Sequence, residues 1–335
     1  MPDTFPLGKL PPEVLAAVLA RHPISDRRVL IGPRPGEDAA VIDLGGKLLV
    51  AKTDPITFAS DEIGWYAVNV NANDIATMGA KPSWFMATLL LPQGQTTRDL
   101  VEKIFDQTSR ACEALGVALV GGHTEITYGI ERPIIVGSMF GLGSKETLIT
   151  TGGAQVGDAL LITKGIPVEA TAIIAREKRS MLVKTLPVDF VDRCAQYLHD
   201  PGISVVRDAE IAIQAGRIHA MHDPTEGGLA TGLWEMADAS HHQLAVDLDQ
   251  AVLSNGRLLC EAVEIDPLGA IASGSLLMAV HPKDVNSILA ALEAEGIDSY
   301  LIGQVEAGPA GVLDDAHGRV ILHRPARDEI ARLFE

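Results

Sequence analysis

The run from Asn73 to Pro82, NDIATMGAKP, constrains the fold of this chain more than any other stretch. It closes a predicted helix in which small apolar residues recur at helical spacing, a pattern that predicts close packing against a sheet. The stripe consists of Gly64, Val68, Ala72, Ile75, Ala76 and Gly79. Ser60 is predicted to cap this helix, with Asp61 and Glu62 in its first turn, and Gly79 is predicted to end it.

The other side of the same helix is polar, and no basic residue follows until Lys81. Asn69 and Asn73 lie one turn apart, with Asp74 and Thr77 beside them. A solvated helix face usually mixes Lys and Glu, so short amides beside one carboxylate indicate a functional site. The alternative is that these side chains cap neighbouring loops, and the helix alone leaves both interpretations open.

Acidic residues dominate the charge of the chain. Its 335 residues include 44 Asp and Glu against 27 Lys and Arg, a formal net charge of −17, and no run is rich in Lys or Arg. Binding to a nucleic-acid backbone is therefore disfavoured. Anionic nucleotides remain open as ligands, because carboxylates can hold divalent cations that in turn hold phosphates. Hydrophobic residues make up 47% of the chain, which is ample for packed cores.

Cysteine spacing and the N-terminal sequence bear on the compartment. Cys112, Cys194 and Cys260 are far apart and outside any C-x-x-C spacing, so the sequence indicates reduced thiols rather than disulfides or a zinc site. The first residues show no basic segment followed by an apolar core, and no stretch approaches the apolar length that crosses a bilayer. The sequence therefore predicts a cytoplasmic protein without a membrane partner.

Alternating strand and helix patterns predict an α/β chain of two domains, an N-terminal domain of residues 1–150 and a C-terminal domain of residues 151–335. Gly152, Gly153 and Gly157 mark the boundary between them. Predicted strands cover 39–42, 47–52, 84–91, 117–120, 133–142, 159–163, 218–221, 243–248, 275–280 and 300–305. Besides the helix that Gly79 ends, helices are predicted from apolar spacing at 14–19, 97–115, 168–176, 188–198, 205–215, around 233–237 and at 285–295.

Four aspartates lie on the helix that Gly79 ends or near the end of a predicted strand: Asp38, Asp54, Asp74 and Asp223. Asp54 is predicted to follow its strand directly, where functional loops tend to lie. Mg²⁺ prefers oxygen ligands and commonly takes one or two carboxylates together with phosphate oxygens. Aspartate is also common in turns and helix caps, so each position taken singly keeps that structural interpretation.

The common phosphate-binding loops are absent from the sequence. There is no Walker A pattern, and no G-x-G-x-x-G follows a strand and opens a helix. The catalytic patterns G-x-S-x-G and H-E-x-x-H are absent too. A nucleotide site in this chain would therefore be built from carboxylates, a metal ion and scattered backbone amides.

Six motifs, in order, resemble the PurM-like superfamily, also called aminoimidazole ribonucleotide (AIR) synthetase-related. They are EDAAV (37–41), KTDP (52–55), NDIATMGAKP (73–82), GGHTE (121–125), GD with TKGI (157–166) and DPTEGGL (223–229). The superfamily includes selenophosphate synthetase, thiamine-monophosphate kinase and the hydrogenase maturation factor HypE. The GGHTE motif and the run KGIPVEATAIIA (164–175) are most similar to the HypE branch.

The resemblance implies an architecture and a chemistry. The N-terminal domains of two subunits would pair into a shared barrel, with ATP in a cleft near that interface. ATP would phosphorylate an oxygen of the substrate and turn it into a leaving group, with Mg²⁺ offsetting charge on the transferring phosphoryl group. The substrate would be a small molecule or a thiol of a partner maturation protein.

The resemblance also assigns roles to residues. Asp38, Asp54 and Asp74 would hold Mg²⁺ and phosphates in the N-terminal domain, and Asp223 would be a metal ligand from the second domain. The candidate catalytic residues are Asp74, His123 and Glu125. The candidate nucleotide contacts are Asp54, Asn73, Gly121, Gly122, Thr124, Lys164, Thr225, Gly227 and Gly228. For Lys164 the alternative is a solvated residue at a strand end.

His123 departs from the kinase branch, which carries a carboxylate in the corresponding Gly-Gly-Asp-Thr turn. A neutral imidazole is a poor Mg²⁺ ligand, so one metal site would be missing or would be supplied by Glu125. Otherwise His123 would be a proton carrier, or a turn residue hydrogen-bonded to the backbone.

The last residues depart from the HypE branch, which works through a tail ending in cysteine. No cysteine follows Cys260, and Ile330, Leu333 and Phe334 predict a helix that docks on the body. HypE chemistry would then lack its nucleophile. The leading hypothesis is a HypE-related, homodimeric, Mg-ATP-dependent enzyme of metallocentre or cofactor maturation. The alternatives are a non-catalytic nucleotide-binding scaffold and a kinase resembling thiamine-monophosphate kinase.

Overall fold

The computed structural model describes residue 5 and residues 10–33, 37–57 and 61–334, so the predicted cap Ser60 lies outside the described residues. The chain divides into two compact units. The N-terminal unit is Arg27–Gly32 with Asp38–Leu148, and the C-terminal unit contains Ile149–Glu335 and the segment before Arg27. That segment carries helix α1 (Pro12–Leu19), predicted from its apolar spacing. None of the described helices is both long and apolar enough to cross a membrane.

The N-terminal unit is a sheet with two helices. Its strands are β1 (Val29–Ile31), β2 (Ala40–Asp43), β3 (Leu48–Ile56), β4 (Lys81–Pro92), β5 (Ala118–Thr127) and β6 (Ile134–Gly143), and its helices are α2 (Ile63–Thr77) and α3 (Arg98–Leu115). The strand order is β1-β2-β3-β6-β4-β5. Neighbouring strands are antiparallel except β4 and β5, which run parallel. This mixed sheet confirms the predicted α/β class.

Helix α2 packs against β3, β6 and α3, and the predicted apolar stripe is buried except at Gly79, which is half-buried and lies beyond the helix. The helix starts at Ile63, because Glu62 has a left-handed backbone with a φ of 56°. Asp61 and Glu62 therefore precede the helix, and the prediction that they fill its first turn is wrong. The predicted end is confirmed, since the helix stops at Thr77 and Gly79 follows with a φ of 70°.

Strands β3 and β5 run well past their predicted ends, and β4 starts at Lys81 instead of Trp84. Strand β3 includes Asp54 and continues to Ile56, because β6 pairs along its whole length. The pairing of β2 with β3 ends at Ala51, which leaves one edge of β3 open at Pro55, where a proline is tolerated. Strand β5 continues through the GGHTE motif to Thr127, paired with β4. The predictions that Asp54 follows a strand and that GGHTE forms a turn are therefore wrong.

The C-terminal unit is built on a seven-stranded sheet. Its strands are β7 (Ala159–Thr163), β8 (Ile218–His222), β9 (Gln243–Val246), β10 (Leu277–Val280), β11 (Ser299–Glu306), β12 (Gly311–Asp314) and β13 (Val320–Ile321), in the order β13-β12-β9-β11-β7-β10-β8. Its further helices are α4 (Val168–Glu177), α5 (Arg179–Leu182), α6 (Val188–Ala195), α7 (Val206–Ala215), α8 (Gly228–Ser240), α9 (Ser254–Ala262) and α10 (Val285–Ala294). Short helical turns cover Thr151–Gly153, Leu198–Gly202, Leu248–Gln250 and Glu329–Phe334.

The last of these turns confirms that the end of the chain docks on the body. Leu333 is buried in a cluster with residues of α4, α6 and α9. Lys178 Nζ donates a hydrogen bond of 2.7 Å to the Leu333 carbonyl oxygen. The backbone N–H of Glu329 donates one of 3.1 Å to the Gly269 carbonyl oxygen. Burial of an apolar side chain and backbone hydrogen bonds together hold this segment in place.

A buried carboxyl group lies in the first turn of α4. Burial raises the pKa of Glu169 from 4.5 to about 7, and the charges of Asp328 and Glu226 act in the same direction, whereas a hydrogen bond with Ser273 opposes them. One of its carboxyl oxygens is buried and has no hydrogen-bond partner among the described residues. The folded C-terminal unit therefore favours a protonated Glu169 up to about neutral pH.

Adding a methyl group at Gly141 should destabilise the N-terminal unit. A Cβ built there would lie 2.3 Å from Ile75 Cγ2 and 2.7 Å from the Lys81 carbonyl oxygen, so α2 and β6 would have to separate. We expect Gly141→Ala to lower the free energy of unfolding, measured in urea, by about 1–3 kcal/mol. Gly143→Ala on the same strand is the control, since its Cβ would meet Ala80 at an ordinary 3.4 Å. Equal stability of the two variants would contradict this packing.

The stability of the C-terminal unit should fall as pH rises, because of Glu169. Its pKa in the folded state, about 7, exceeds the ordinary 4.5, so the unfolded state ionises first and gains stability between these pH values. The loss should reach on the order of 3 kcal/mol above pH 7. When the free energy of unfolding is measured in urea at pH 5 and pH 8, the Glu169→Gln variant should not show this loss. The exposed Glu177→Gln should behave as wild type, and an unchanged pH dependence in Glu169→Gln would rule out Glu169 as its source.

Candidate functional site

The polar face of α2 is buried rather than solvated. Thr77 Oγ1 and Asn69 Nδ2 donate to carbonyl oxygens of their own helix, at 3.0 and 2.9 Å. Asn71, which the sequence interpretation passed over, donates to the Asp54 carbonyl oxygen at 3.3 Å as well as to Ala67 at 2.8 Å. The helix is therefore fastened to β3 at the position of Asp54.

Lys52 lies between two of the predicted ligands. Its Nζ is 3.2 Å from Asp74 Oδ1 and 3.5 Å from Asp54 Oδ2. Lys52 and Asp54 are two residues apart on β3, so their side chains lie on the same face of the sheet, where α2 brings Asp74. The sequence interpretation also missed Lys52 as a site residue, although the two-residue spacing in KTDP was the signal for it.

Asp74 is the most perturbed carboxyl group of this unit, with an exposure of 5%. Burial raises its pKa from 3.8 to about 7, Lys52 opposes this, and the charges of Asp38 and Asp54 raise it further. Its Oδ2 atom is buried and has no hydrogen-bond partner among the described residues. The structure thus brings together the three N-terminal aspartates predicted from the sequence, Asp38, Asp54 and Asp74.

This arrangement, which we call the Asp74 cluster (Asp38, Lys52, Asp54 and Asp74), holds more negative charge than its lysine neutralises. When Asp74 is ionised, three carboxylates and one ammonium leave a net negative charge in a partly buried place. An oxygen-rich, acidic donor set with an unused carboxyl oxygen is what Mg²⁺ or Ca²⁺ requires. The residues present therefore fit a hard divalent cation.

The GGHTE motif lies elsewhere in the same unit. Asp54 pairs with Gly137, Gly137 with Ala87, and Ala87 with Gly122, so three strand spacings, roughly 14 Å, separate Asp54 from Gly122. His123 Nε2 lies 3.4 Å from Glu125 Oε2, and both side chains are exposed. Within one chain the structure does not bring Gly121, Gly122, His123, Thr124 or Glu125 to the Asp74 cluster.

Other predicted site residues belong to the C-terminal unit. Asp223 follows β8 directly, as predicted, and is buried. Gly227 and Gly228 have φ values of 79° and 64° and form the turn that starts α8, with Thr225 accepting a 3.0 Å bond from the Gly228 N–H. We call residues 223–228 the α8 loop.

Lys164 is a buried residue and not the solvated one considered as the alternative. Its Nζ is 3.1 Å from Asp208 Oδ2 and donates a 2.5 Å hydrogen bond to the Ser204 carbonyl oxygen. The lysine is therefore already neutralised by a buried carboxylate within its own unit. The prediction that it contacts a phosphate stays a prediction.

The three cysteines are buried free thiols. Burial raises the pKa of Cys112 and Cys194 to about 11 and that of Cys260 to about 12. A thiol acts as a nucleophile through its thiolate, so none of the three is activated. The pKa values of the three thiols therefore give no support to a cysteine nucleophile.

Comparisons with known proteins show the family of the chain. Sequence models of AIR synthase related proteins match the chain twice, the N-terminal domain at residues 36–143 and the C-terminal domain at residues 155–316. A Methanocaldococcus jannaschii protein named for hydrogenase expression and formation is 30% identical over 336 residues, 97% of each chain. Carbamoyl dehydratase HypE of Rhizobium leguminosarum bv. viciae is 30% identical over 285 residues, 82% of this chain and 78% of the relative.

Solved structures share the fold. A chain of a HypE–HypF complex matches with a TM-score of 0.76 at 24% identity, over 92% of this chain and 98% of the other. HypE in complex with ATP matches with a TM-score of 0.71 at 23% identity, over 93% of this chain and 91% of the other. ThiL in complex with AMPPCP and TMP matches with a TM-score of 0.72 at 19% identity, over 95% of this chain and 94% of the other. The chain is therefore a member of the AIR synthase related family, with the PurM-like two-domain fold of HypE and ThiL.

Proposed function

We propose that this protein is a HypE-like enzyme that uses Mg-ATP to phosphorylate, and so activate, an oxygen of its substrate in metallocentre or cofactor maturation. The observation that carries the proposal is the Asp74 cluster, in which separated aspartates converge around a carboxyl oxygen that has no hydrogen-bond partner in the part of the chain that the structure describes. Two fold relatives support the nucleotide, since one HypE structure contains ATP and the ThiL structure contains AMPPCP.

The residues of the Asp74 cluster take separate roles in this proposal. Asp38, Asp54 and Asp74 would hold Mg²⁺, which when bound offsets charge on the phosphoryl group being transferred. Lys52 would turn from the carboxylates to a phosphate oxygen once a cation neutralises them, because an ammonium group also pairs with phosphate. Asn71 keeps β3 and α2 together, and Asn73 is a proposed nucleotide contact on the same helix.

In the C-terminal unit we assign Asp223 as a metal ligand and Thr225, Gly227 and Gly228 as contacts to nucleotide. Burial of Asp223 and the left-handed glycines support this, because such loops offer backbone amides to anions. Lys164 would join them only if a phosphate displaced Asp208.

The names of the relatives support the kind of substrate. The M. jannaschii relative is named for hydrogenase formation, the R. leguminosarum relative is a carbamoyl dehydratase, and one HypE structure is a complex with HypF. We therefore propose that the acceptor is a small molecule or a group presented by a partner maturation protein in the cytoplasm. Formation of phosphorylated thiamine monophosphate would replace this proposal with a kinase.

We further propose a homodimer that pairs through β5. Among the described strands, β5 lies at the sheet edge and pairs with β4 alone. Val120 and Ile126 on it are 54% and 59% exposed. An exposed edge strand presents unpaired backbone N–H and C=O groups to which a strand of another chain can add, and exposed apolar side chains favour such pairing. Such pairing would place His123 and Glu125, the candidate catalytic pair, at the contact between subunits.

Asp74→Asn should weaken Mg-ATP binding at least tenfold, about 1.4 kcal/mol, because it removes the carboxylate at the centre of the cluster. Isothermal titration measures the affinity, and the ADP or AMP released from Mg-ATP measures turnover. Asp106→Asn, an exposed aspartate on α3, is the matched control and should behave as wild type. If Asp74→Asn binds and turns over nucleotide as well as the control, Asp74 is not a ligand.

Lysine at the β5 edge should separate the dimer. Wild-type protein should elute with twice the chain mass of 35.5 kDa in light-scattering chromatography, and Val120→Lys with Ile126→Lys should give the mass of one chain. Val156→Lys, at an equally exposed valine of the C-terminal unit, should leave the dimer intact. A wild-type monomer, or a dimer that survives the double change, would refute pairing through this strand.

A further inference from the structure

Helix α8 starts without a side chain of its own to cap it. Its N-cap residue is Gly227, and no side-chain cap is formed there by the residue itself. The free amides at a helix start need acceptors, and Ser, Thr, Asp or Asn at the N-cap commonly supply one. Gly227 cannot be exchanged for such a residue, because a Cβ there would lie 2.2 Å from Thr231 Oγ1 on a backbone with a φ of 79°.

A carboxylate 101 residues further along the chain accepts the N–H of this N-cap residue, while the Leu268 carbonyl oxygen accepts the N–H of Ala230 in the first turn at 3.0 Å. Asp328 Oδ2 accepts a hydrogen bond of 2.6 Å from the Gly227 N–H. Its Oδ1 accepts bonds of 3.2 Å from the Ile271 N–H and 2.7 Å from the Ile330 N–H. One carboxylate thus joins the α8 loop, the segment before β10 and the C-terminal turn, with its negative charge at the positive end of α8.

The position of Asp328 is fixed on both sides. After it, the turn Glu329–Phe334 is anchored by Leu333 and by the bond from the Glu329 N–H to Gly269. Before it, the Leu322 carbonyl oxygen accepts a 2.6 Å bond from Trp234 Nε1, and Arg324 pairs with Glu235 at 3.0 Å, both on α8. The segment that carries Asp328 therefore lies along α8 and presents the carboxylate to its first turn.

We propose that Asp328 is the positioning residue of the α8 loop, capping α8 by accepting the N–H of its N-cap residue, Gly227, as the carboxylate of a capping box does. Thr225 of the loop accepts hydrogen bonds from the Gly228 N–H at 3.0 Å and from the Ala272 N–H at 3.3 Å, so Asp328 and Thr225 both join the loop to the segment before β10. Without the carboxylate, three backbone amides would lose their acceptor, and each buried donor left unpaired is costly. The functional consequence rests on the proposed role of this loop in nucleotide binding, whereas the cap itself does not.

Asp328→Asn tests the inference, because it keeps the size of the side chain and one acceptor oxygen but removes the charge and the second acceptor. Hydrogen exchange followed by mass spectrometry on the nucleotide-free protein should show residues 224–231 and 270–272 exchanging roughly tenfold faster. Asp247→Asn is the matched control, since Asp247 also caps a helical turn of the C-terminal unit, accepting from the Asp249 N–H at 3.2 Å. It should leave both segments unchanged.

Unchanged exchange of residues 224–231 in Asp328→Asn would overturn the inference. If that variant does not fold, the wild type still decides, because a Gly227 amide that exchanges as fast as an exposed loop is not held by Asp328. Asp328→Glu separates positioning from charge, since a longer carboxylate should restore only part of the protection. Faster exchange with unaltered Mg-ATP affinity would support the cap and count instead against the proposed role of the α8 loop in binding nucleotide.

Discussion

The position of α2 on the sheet of the N-terminal unit depends on the contact between Asp74 of α2 and Lys52 of β3. A carboxylate on a buried helix is costly unless a cation or a proton compensates it, and the lysine of β3 supplies only part of the compensation. The helix must therefore sit where β3 can reach it, and Asn71 fastens it there through the Asp54 carbonyl oxygen. The close contact between β6 and α2 at Gly141 allows this position of the helix. Packing and charge therefore act together to place α2.

The two units solve the same problem of a buried acidic group in different ways. In the N-terminal unit the Asp74 cluster gathers charge, which a metal ion could compensate. In the C-terminal unit the Asp328 carboxylate accepts hydrogen bonds from three backbone amides. Burial raises the pKa of the nearby Glu169 to about 7 and so favours its protonated form. An acidic chain can thus keep carboxylates inside, provided that each has amides, a cation or a proton to balance it.

Much of the fold was readable from periodicity. The bounds of β7, α3, α7 and α10 agree with the apolar patterns to within about two residues. The patterns failed where tertiary pairing overrode local preference, as in the GGHTE and Thr-Asp-Pro runs, whose glycine and proline suggest turns although β4 and β6 hold them as strands. The short elements α9, β12 and β13 were not predicted, because few residues with weak periodicity give little signal.

The amino-acid sequence by itself determined the family, the alternation of strands and helices, and the set of aspartates at Asp38, Asp54, Asp74 and Asp223, because these depend on residue type, order and local period. Only the tertiary structure decided that Lys52 and Asn71 join the first three, that GGHTE lies three strands away, and that Asp328 caps α8. Contacts between residues far apart in the chain depend on sheet order and helix placement, and no local pattern records those.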